Sequence, residues 1–381
     1  MPQWFTRAEG KTVLRSLLSA ELSAYRGMPA DWQDNPDIDS LERLHLAGCV
    51  NEFFQLHETG VEDRLLMTNS LDDWASLVAQ ATAETSGLTF RTSGSTGQAT
   101  AHFHSWGQIE AEVVALMHAF TTTRPIKRVI SWLPQHHLYG FMLGVALPAV
   151  AKIPRQDVDT PTLPELSSGD LLVTVPPRWS YLARSGKPWP ANVFGCTSTG
   201  PLAEDVSAQL LKQGLAGLLD IYGSTETGGV ATRWRPDATY QLLQHWQRAD
   251  SQHIQAVADD VREPSLGAIP LMDKVSWLDQ HSFILQGRYD DVISIGGVNV
   301  SPSHVAARLR ALSSVADCAV RCTGSGAQTR LKAFVVPVAG EEATARHISS
   351  SIAHWPAAER PVSITYGNAI PTTAIGKLSD W

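Results

Sequence analysis

The spacing of apolar residues divides the chain into regions of different secondary structure. Apolar positions recur at helical period over residues 10–27, 40–54 and 71–81, and no strand pattern separates these three predicted amphipathic helices. From Leu88 onward, short apolar strands such as RVISWL, LLVTV and ANVFG alternate with helical segments. This alternation predicts an α/β fold with a mostly parallel sheet that helices cover.

The pattern changes a second time after Gly287. The segment DDVISIGGVNVSP is followed by a predicted helix over residues 303–312, by the strands DCAVRC and LKAFVVPV, and by one more helix. These elements predict a small α/β module. We therefore divide the chain into a helical region, residues 1–85, a core, residues 86–287, and a C-terminal domain, residues 288–381.

Composition narrows the classes of protein. The chain has 381 residues, 43% of them hydrophobic and 18% charged, enough for two or three domains. Its net charge of -8 is spread over interspersed residues, which argues against nucleic-acid or anionic-membrane binding. No signal-peptide pattern occurs and GFMLGVALPAVA is too short to span a bilayer, so we expect a cytoplasmic protein. Neither a disulfide framework nor a CxxC zinc site is indicated by the scattered cysteines, Cys49, Cys196, Cys318 and Cys322.

The segment LTFRTSGSTGQAT, residues 88–100, predicts a strand that ends in a turn rich in hydroxyl groups and glycine. Closely spaced hydroxyl and backbone N–H groups can wrap a phosphate chain, although no Gly-Lys-Ser/Thr of a Walker loop follows. Taken alone, this segment would be better explained as an ordinary polar loop. Three later segments favour chemistry, because they occur in a fixed order with it: YGSTETGG at 222–229, GRYDDVISIGGVNVSP at 287–302 and IPTTAIGKL at 370–378.

With these four ordered motifs, the chain resembles the adenylate-forming superfamily over about residues 86–381. This superfamily includes acyl- and aryl-CoA synthetases, luciferases and the adenylation domains of nonribosomal peptide synthesis. The resemblance implies a large AMP-binding domain and a small mobile α/β C-terminal domain, with ATP and Mg²⁺ as cofactors. Only about ninety residues precede the phosphate-loop motif, so we expect the N-terminal part of the large domain to be reduced or replaced relative to the family.

The resemblance implies a nucleotide site. Tyr222 would lie against the adenine, and the ribose hydroxyls would bind Asp273, in LMDKV, and Arg288. The phosphates would be held by the loop motif, and YGS would complete the site. The remaining residues implied for the nucleotide site are Thr92, Ser93, Gly94, Ser95, Thr96, Gly97, Gly223 and Ser224.

The resemblance also implies the groups that act on the acid. Thr225 would lie near the phosphate or the substrate carboxylate, Glu226 would bind Mg²⁺, and Lys377 would reach into the adenylation site. Asp290 would be the hinge about which the C-terminal domain rotates. These roles agree with the chemistry, because a carboxylate and a triphosphate repel each other unless a divalent ion and a positioned cation neutralise them.

One departure from the family pattern concerns the phosphate loop. The family continues this loop with Pro-Lys, whereas Ala99 and Thr100 stand there in this chain. One phosphate-facing charge is therefore missing. Either other groups, such as Arg91 or His102, replace it, or adenylation is slow, or the chain has lost catalysis.

The substrate class depends on the segment WLPQHHLYG. It resembles the Pro-x-x-His-x-x-Gly segment of acyl- and aryl-acid ligases, and it implies that His137 lies beside the substrate carboxylate, with Gly200 in the same pocket. The aspartate that pairs with the ammonium group in amino-acid-activating domains has no evident counterpart. A carboxylic acid without an α-amine, such as an aryl, fatty or hydroxy acid, is therefore favoured. His102, His104, His136 and His137 have no matching set of metal ligands in the sequence, so we expect packing or solvent contacts for all of them except His137.

The segment DIDSLERLHLAGCVNEFF, residues 37–54, has two interpretations. Asp39 and Glu42 have the spacing of a helix capping box, so local physics explains the segment as a helix start. The Asp-Ser-Leu sequence also resembles the attachment site of an acyl carrier protein, in which Ser40 would carry 4'-phosphopantetheine. A helical cap over a reduced large domain is the competing interpretation of residues 1–85.

The predicted function is ATP-dependent adenylation of a carboxylic acid, followed by transfer of the acyl group to the phosphopantetheine thiol of a carrier protein. Transfer to free CoA is the first alternative. The second alternative, which Thr100 motivates, is a catalytically silent protein that binds nucleotide or docks to a partner.

Overall fold

The structure is a computed structural model that describes residues 2–30, 32, 37–68, 70–92, 100–121, 125–158, 162–257, 267–288, 292–324, 326–338, 340–371 and 381. Three sets of predicted site residues lie outside these ranges: the loop residues Ser93, Gly94, Ser95, Thr96 and Gly97, the hinge residue Asp290, and Lys377. Arg288 is described by its backbone alone. Within the described ranges, no helix combines the length and apolar character that crossing a membrane requires.

The three predicted N-terminal helices are confirmed. They are α1, Arg7–Arg26, α2, Ser40–Phe54, and α3, Leu71–Ala81. Side chains that precede each helix accept hydrogen bonds from its first N–H groups, which otherwise lack partners. The residues that cap the three helices in this way are Thr6, Asp39 and Ser70.

The N-terminal helices share one hydrophobic core with the rest of the large domain. Leu14 of α1 and Trp74 of α3 are fully buried in a cluster that also contains Phe90 and Phe141. Ser16 of α1 lies 2.8 Å from His136 Nδ1 through its hydroxyl. Separating the helices from the large domain would expose this apolar surface to water. The packing therefore favours the helical cap over an independent carrier-like unit, and the division at residue 85 stays a prediction.

The remainder of the large domain is a mixed α/β structure. Its helices are α4, Trp106–Thr121, α5, Leu138–Phe141, α6, Leu147–Ala151, α7, Pro176–Ser185, and α8, Glu204–Lys212, and a π-helical turn, Met142–Ala146, joins α5 to α6. Its strands are β1, Gly87–Arg91, β2, Ala101–Ser105, β3, Arg128–Ser131, β4, Arg155–Asp157, β5, Asp170–Val173, β6, Phe194–Thr197, β7, Gly217–Ser224, β8, Gly228–Trp234, β9, Tyr240–Leu242, β10, Trp246–Arg248, β11, His253–Ala256, β12, Ile269–Pro270, β13, Asp273–Trp277, and β14, Ser282–Arg288.

The central sheet has nine strands in the order β13-β14-β9-β8-β7-β6-β5-β3-β4. Strands β4, β3, β5, β6 and β7 are parallel, as predicted. The other strands join in antiparallel pairs, so the expectation of a mostly parallel sheet is correct for only half of it. The reason is the turn Thr225–Thr227: it returns the chain at once as the β7–β8 hairpin, and no crossover helix intervenes, as a parallel pair would need.

The C-terminal part has a hydrophobic core of its own, which includes Val305, Leu331 and Trp355. Strands β17, β18 and β19 form its sheet, and β15 pairs with β16 as a separate hairpin. Its elements are β15, Ile293–Ile295, β16, Val298–Val300, α9, Pro302–Arg310, β17, Val315–Thr323, β18, Arg330–Pro337, α10, Glu341–Ile352, and β19, Ser363–Tyr366.

Candidate active site

The two ends of the predicted phosphate loop are held together by the β1–β2 hairpin. Arg91 pairs with Ala101 in its register, and the Thr92 N–H donates a hydrogen bond to the Thr100 carbonyl at 2.9 Å. The hydroxyl oxygens of Thr92 and Thr100 lie 2.8 Å apart. The loop therefore begins and ends at one place, and its two flanking hydroxyl groups face each other.

Glu226, the predicted Mg²⁺ ligand, lies beside this hairpin. Its Oε1 atom is 3.6 Å from Nε2 of His102, and the same nitrogen is 3.0 Å from the Thr100 hydroxyl. Half of the Glu226 side chain is exposed. Mg²⁺ is usually held by one or two carboxylates together with substrate phosphates, and an exposed carboxylate next to a phosphate loop fits that requirement.

Arg91 and His102, the two residues that could replace the missing lysine charge, have different partners in the structure. The Arg91 guanidinium forms an ion pair with Glu52 of α2, which raises the pKa of Arg91 and occupies its charge. His102, in contrast, contacts both Thr100 and Glu226. Of these two side chains, His102 is therefore the one at the loop.

The predicted adenine and ribose residues meet although their strands are distant in sheet order. The Tyr222 hydroxyl donates a hydrogen bond to Asp273 Oδ2 at 2.9 Å. Asp273 is the cross-strand partner of Arg288 in the β13–β14 register. The Tyr222 ring packs edge-on against Tyr240 and Phe283, with ring centroids 5.9 and 5.7 Å away. The structure therefore places Tyr222 and Asp273 in contact, whereas the sequence motifs gave no distance between them.

His104 holds the backbone of the motif that carries Thr225 and Glu226. Its Nε2 atom lies 2.7 Å from the Thr225 carbonyl oxygen, which can only accept, so Nε2 carries the proton and donates it. Burial lowers the pKa of His104, which keeps the ring neutral. The sequence suggested only packing or solvent contact for this residue. The alternation along β2, which turns His104 inward where Phe103 points outward, was the available signal.

Glu112 is a second residue that the sequence did not single out. It lies on α4, only 7% exposed, behind the Gly228–Gly229 backbone, and the Gly229 amide donates a hydrogen bond to it. Burial raises the pKa of its carboxyl group from 4.5 to about 7. Gly229 also allows close approach, because an added Cβ would lie 2.8 Å from Glu112 Oε1. A carboxyl group thus supports the motif from inside the core.

The Glu112→Gln variant is expected to flatten the dependence of stability on pH. In the wild type the native state holds a proton that the unfolded state loses, so stability falls as pH rises from about 4.5 to about 7. The full effect is about 3 kcal/mol. Glutamine keeps the shape and has no charge to desolvate, so the variant should gain stability relative to wild type as pH rises. Urea unfolding at about pH 5 and about pH 8, with the exposed Glu84→Gln as control, checks this. Equal pH slopes in all three proteins would contradict it.

His137, the predicted partner of the substrate carboxylate, precedes α5. Its ring is open to solvent yet surrounded by protein on most sides, and this partial desolvation lowers its pKa. The neighbouring His136 ring lies 4.3 Å away between centroids. Burial, followed by repulsion from His137, lowers the pKa of His136 to about 3. The lowered pKa values keep both imidazoles neutral near pH 7, and a neutral imidazole can donate a hydrogen bond to a carboxylate from its protonated ring nitrogen.

Gly200 lies where the large domain meets the β15–β16 hairpin. An added Cβ at this position would lie 2.7 Å from Ser294 Oγ, so a larger residue at position 200 would force the Ser294 side chain to move. The two parts enclose a cleft of about 220 Å³, which Pro176, Leu202 and Gly297 also line. The structure thus places Gly200 at the interdomain cleft, and its predicted contact with the acid remains a prediction.

Ser40 is the first residue of α2 and is exposed. Asp39 accepts hydrogen bonds from the N–H groups of Leu41 and Glu42, both at 2.8 Å, and Glu42 accepts one from the Asp39 N–H. Arg26 holds the pKa of Glu42 near 2, so this carboxylate stays charged. A capping box accounts for this segment, and attachment of phosphopantetheine at Ser40 stays an untested prediction.

Comparison with known proteins identifies the family to which the chain belongs. A curated 4-coumarate–CoA ligase of Halorhodospira halophila is 43% identical over 390 residues, which cover 96% of this chain and 97% of that protein. The chain belongs to the adenylate-forming superfamily. A second protein named 4-coumarate–CoA ligase, from Rhodobacter capsulatus, is 33% identical over 98% of the chain and 97% of its own length. No protein-family model matches.

Solved structures of the superfamily share the fold. An o-succinylbenzoate CoA synthetase from Bacillus subtilis superimposes with a TM-score of 0.62 at 14% identity, covering 98% of this chain and 92% of that one. As a member of the adenylate-forming superfamily, the chain is an acid–thiol ligase. Two features are consistent with that class: Tyr222 and Asp273, which are predicted to bind the nucleoside, contact each other, and Glu226, the predicted metal ligand, lies beside His102 at the end of the predicted phosphate loop.

Proposed function

We propose that the chain converts a 4-coumarate-like aryl acid and ATP to acyl-AMP and pyrophosphate, and then transfers the acyl group to the thiol of CoA. The geometry that carries this proposal is the meeting of Glu226 and His102 with the ends of the phosphate loop, Thr92 and Thr100. Hydroxyl, imidazole and carboxylate groups converge where a triphosphate would be turned toward a second anion. The names of two relatives, at 43% and 33% identity over nearly the whole chain, support the acid and the acceptor.

The proposed residue roles are those that the superfamily motifs imply. Tyr222 and Asp273 bind the nucleoside with Arg288, while Gly223 and Ser224 form the backbone that follows Tyr222. Thr225 and His137 face the reacting carboxylate, and the short phosphate loop from Thr92 to Gly97 holds the phosphates. Mg²⁺, when bound, neutralises charge on the phosphate oxygens, and Glu226 is its protein ligand in this proposal.

The C-terminal domain supplies Lys377 in this proposal. The segment that carries this lysine ends at Trp381, whose carbonyl oxygen accepts a hydrogen bond from Lys332 Nζ at 2.8 Å on strand β18. The Trp381 ring also packs against Phe334, 5.8 Å away between centroids. The far end of the segment therefore belongs to the small domain, and Lys377 would travel with that domain when it rotates about Asp290.

CoA is favoured over a carrier protein as the acyl acceptor. The helices that resembled a carrier protein are packed into the large-domain core, and Ser16 and Thr12 of α1 contact His136 and Arg155 of that domain. A carrier arm must travel between sites, which such packing opposes. Transfer to a phosphopantetheine at Ser40 remains the alternative.

The test is ATP–pyrophosphate exchange with 4-coumarate, a medium-chain fatty acid and a hydroxy acid, followed by mass spectrometry of the thioester formed with CoA. We expect exchange with 4-coumarate above the other acids, and 4-coumaroyl-CoA as the product. The Ser40→Ala variant serves as control and should form the same thioester at the same rate.

The other outcomes separate the alternatives. Exchange without any CoA thioester, together with acylation of phosphopantetheine-modified Ser40, would favour the carrier function. Nucleotide binding without exchange for any acid would favour the silent protein that Thr100 suggested. Exchange with the fatty acid alone would retain the ligase and overturn the aryl substrate.

A further inference from the structure

Three side chains converge on the surface of the cap. Glu21 comes from α1, and His45 and Cys49 come from α2. His45 and Cys49 are four residues apart, so they lie on one face of the helix, one turn above the other. All three side chains are partly exposed. Among the residues that the structure describes, this is the group of histidine, cysteine and carboxylate side chains whose ligand atoms all lie within 4.8 Å of one another.

The distances match the edges of a metal-coordination tetrahedron. His45 Nε2 lies 3.5 Å from Glu21 Oε2 and 3.8 Å from Cys49 Sγ. A zinc ion bound to sulfur at about 2.3 Å and to nitrogen and oxygen at about 2.1 Å would separate nitrogen from sulfur by about 3.6 Å and nitrogen from oxygen by about 3.4 Å. The two distances to His45 are therefore within about 0.2 Å of the spacings in a zinc site, and the ligand atoms of Glu21 and Cys49 lie within 4.8 Å of each other.

The alternative, a proton relay of the Cys–His–Glu type, does not fit this arrangement. In such a relay the nucleophile contacts one ring nitrogen and the carboxylate contacts the other. Here Glu21 and Cys49 both approach the same atom, Nε2 of His45. The three ligand atoms lie close enough to one another to surround a single ion.

We propose that Glu21, His45 and Cys49 bind a divalent ion of the zinc class, with water as the fourth ligand. The thiolate and the carboxylate would neutralise the two charges of the ion, while the imidazole binds in its neutral form. A mixed sulfur, nitrogen and oxygen set selects zinc or a similar transition metal over Mg²⁺, which prefers oxygen ligands. The site is therefore distinct in chemistry from the one at Glu226.

Binding exchanges a proton for the ion. Without metal, burial and the Glu21 charge raise the pKa of Cys49 to about 12, so the thiol is protonated. The S–H bond breaks, the sulfur lone pair binds the ion, and the proton leaves to the buffer, so one proton is released per ion.

The ion would join α1 to α2 next to the strand that leads into the phosphate loop. Glu52, one turn beyond Cys49, pairs with Arg91 at the end of β1, and Gln55 donates a hydrogen bond to Thr89. A ligand that binds only the folded cap stabilises it by mass action. The bound ion is thus expected to stabilise the packing of α1 against α2. This inference does not depend on the proposed substrate.

The experiment uses the full-length chain without a histidine tag, freed of metal by a chelator. Titration with Co²⁺ should produce the near-ultraviolet charge-transfer band of cobalt–thiolate coordination, and Zn²⁺ should displace it at one ion per chain. Cys49→Ser should abolish the band, and Glu21→Gln and His45→Gln should weaken binding by about 100-fold or more. Cys322→Ser, at an exposed cysteine of the C-terminal domain, is the matched control and should keep the band.

Thermal unfolding distinguishes loss of the site from loss of the fold. Zn²⁺ should raise the melting temperature of wild type and of Cys322→Ser, and should leave that of Cys49→Ser and Glu21→Gln unchanged. A charge-transfer band that persists in Cys49→Ser would overturn the site. Absence of the band from the wild type would also overturn it, as would equal stabilisation by Zn²⁺ of wild type and Glu21→Gln.

Discussion

Replacement of Lys377 by alanine is expected to lower the rate of acyl-AMP formation by about 100-fold or more. A positioned cation at the reacting oxygens stabilises the transition state by about 3 kcal/mol, and alanine removes that charge. Consumption of supplied acyl-AMP with CoA should stay close to the wild-type rate, because a lysine on the small domain can be withdrawn before the thiol reacts. The two rates are measured separately, by ATP–pyrophosphate exchange and by thioester formation from synthetic acyl-AMP.

The matched control is Lys187→Ala, at an exposed lysine of the large domain. It should retain both half-reactions, because its side chain is exposed and it is not one of the predicted site residues. Equal loss of both half-reactions in Lys377→Ala would contradict a role confined to adenylation. Unchanged exchange in that variant would remove Lys377 from the site altogether.

Replacement of Glu226 by glutamine is expected to raise the Mg²⁺ concentration needed for half-maximal exchange by about 10-fold or more. Glutamine keeps the size and one oxygen of the side chain but loses the charge that attracts a hard divalent ion. Excess Mg²⁺ should restore part of the rate. Exchange measured over a Mg²⁺ series at fixed ATP gives both values.

Two controls separate metal binding from other effects of Glu226. Glu204→Gln changes an exposed carboxylate at the start of α8 and should leave the Mg²⁺ dependence unaltered. His102→Ala removes the ring that lies 3.6 Å from Glu226, and it should weaken ATP binding while keeping the wild-type Mg²⁺ dependence. If Glu226→Gln and wild type require the same Mg²⁺ concentration, Glu226 is not a metal ligand.

Local sequence patterns predicted the elements well. The helices at residues 10–27, 40–54 and 71–81 are present within a few residues of those bounds, because apolar period and capping residues act over one or two turns. Asp39 with Glu42 three residues later is such a signal, and the capping box forms. The ordered motifs likewise predicted the superfamily, since each motif is a short continuous segment.

Packing between distant segments was beyond these patterns. The sequence left a helical cap and a carrier-like unit as alternatives for residues 1–85, and only the structure shows that α1 to α3 share a core with β1 and α5. The division at residue 85 followed from a change of local pattern alone. The antiparallel half of the sheet was missed for a similar reason. Whether two successive strands are joined by a hairpin or by a crossover depends on which strand the second one pairs with, and that pairing is a tertiary contact.

The sequence by itself determined the class of fold, the helix ends and the residues that could bind nucleotide, because these depend on neighbours within a few positions. Only the tertiary structure brought Tyr222 to Asp273, His102 to Glu226, and Glu21 of α1 to His45 and Cys49 of α2. His45 and Cys49 share a helix face that the sequence implies, yet their carboxylate partner lies twenty-four residues before His45 in the chain. Contacts of this kind follow from how whole helices and strands pack, and burial of apolar surface, not local spacing, decides that packing.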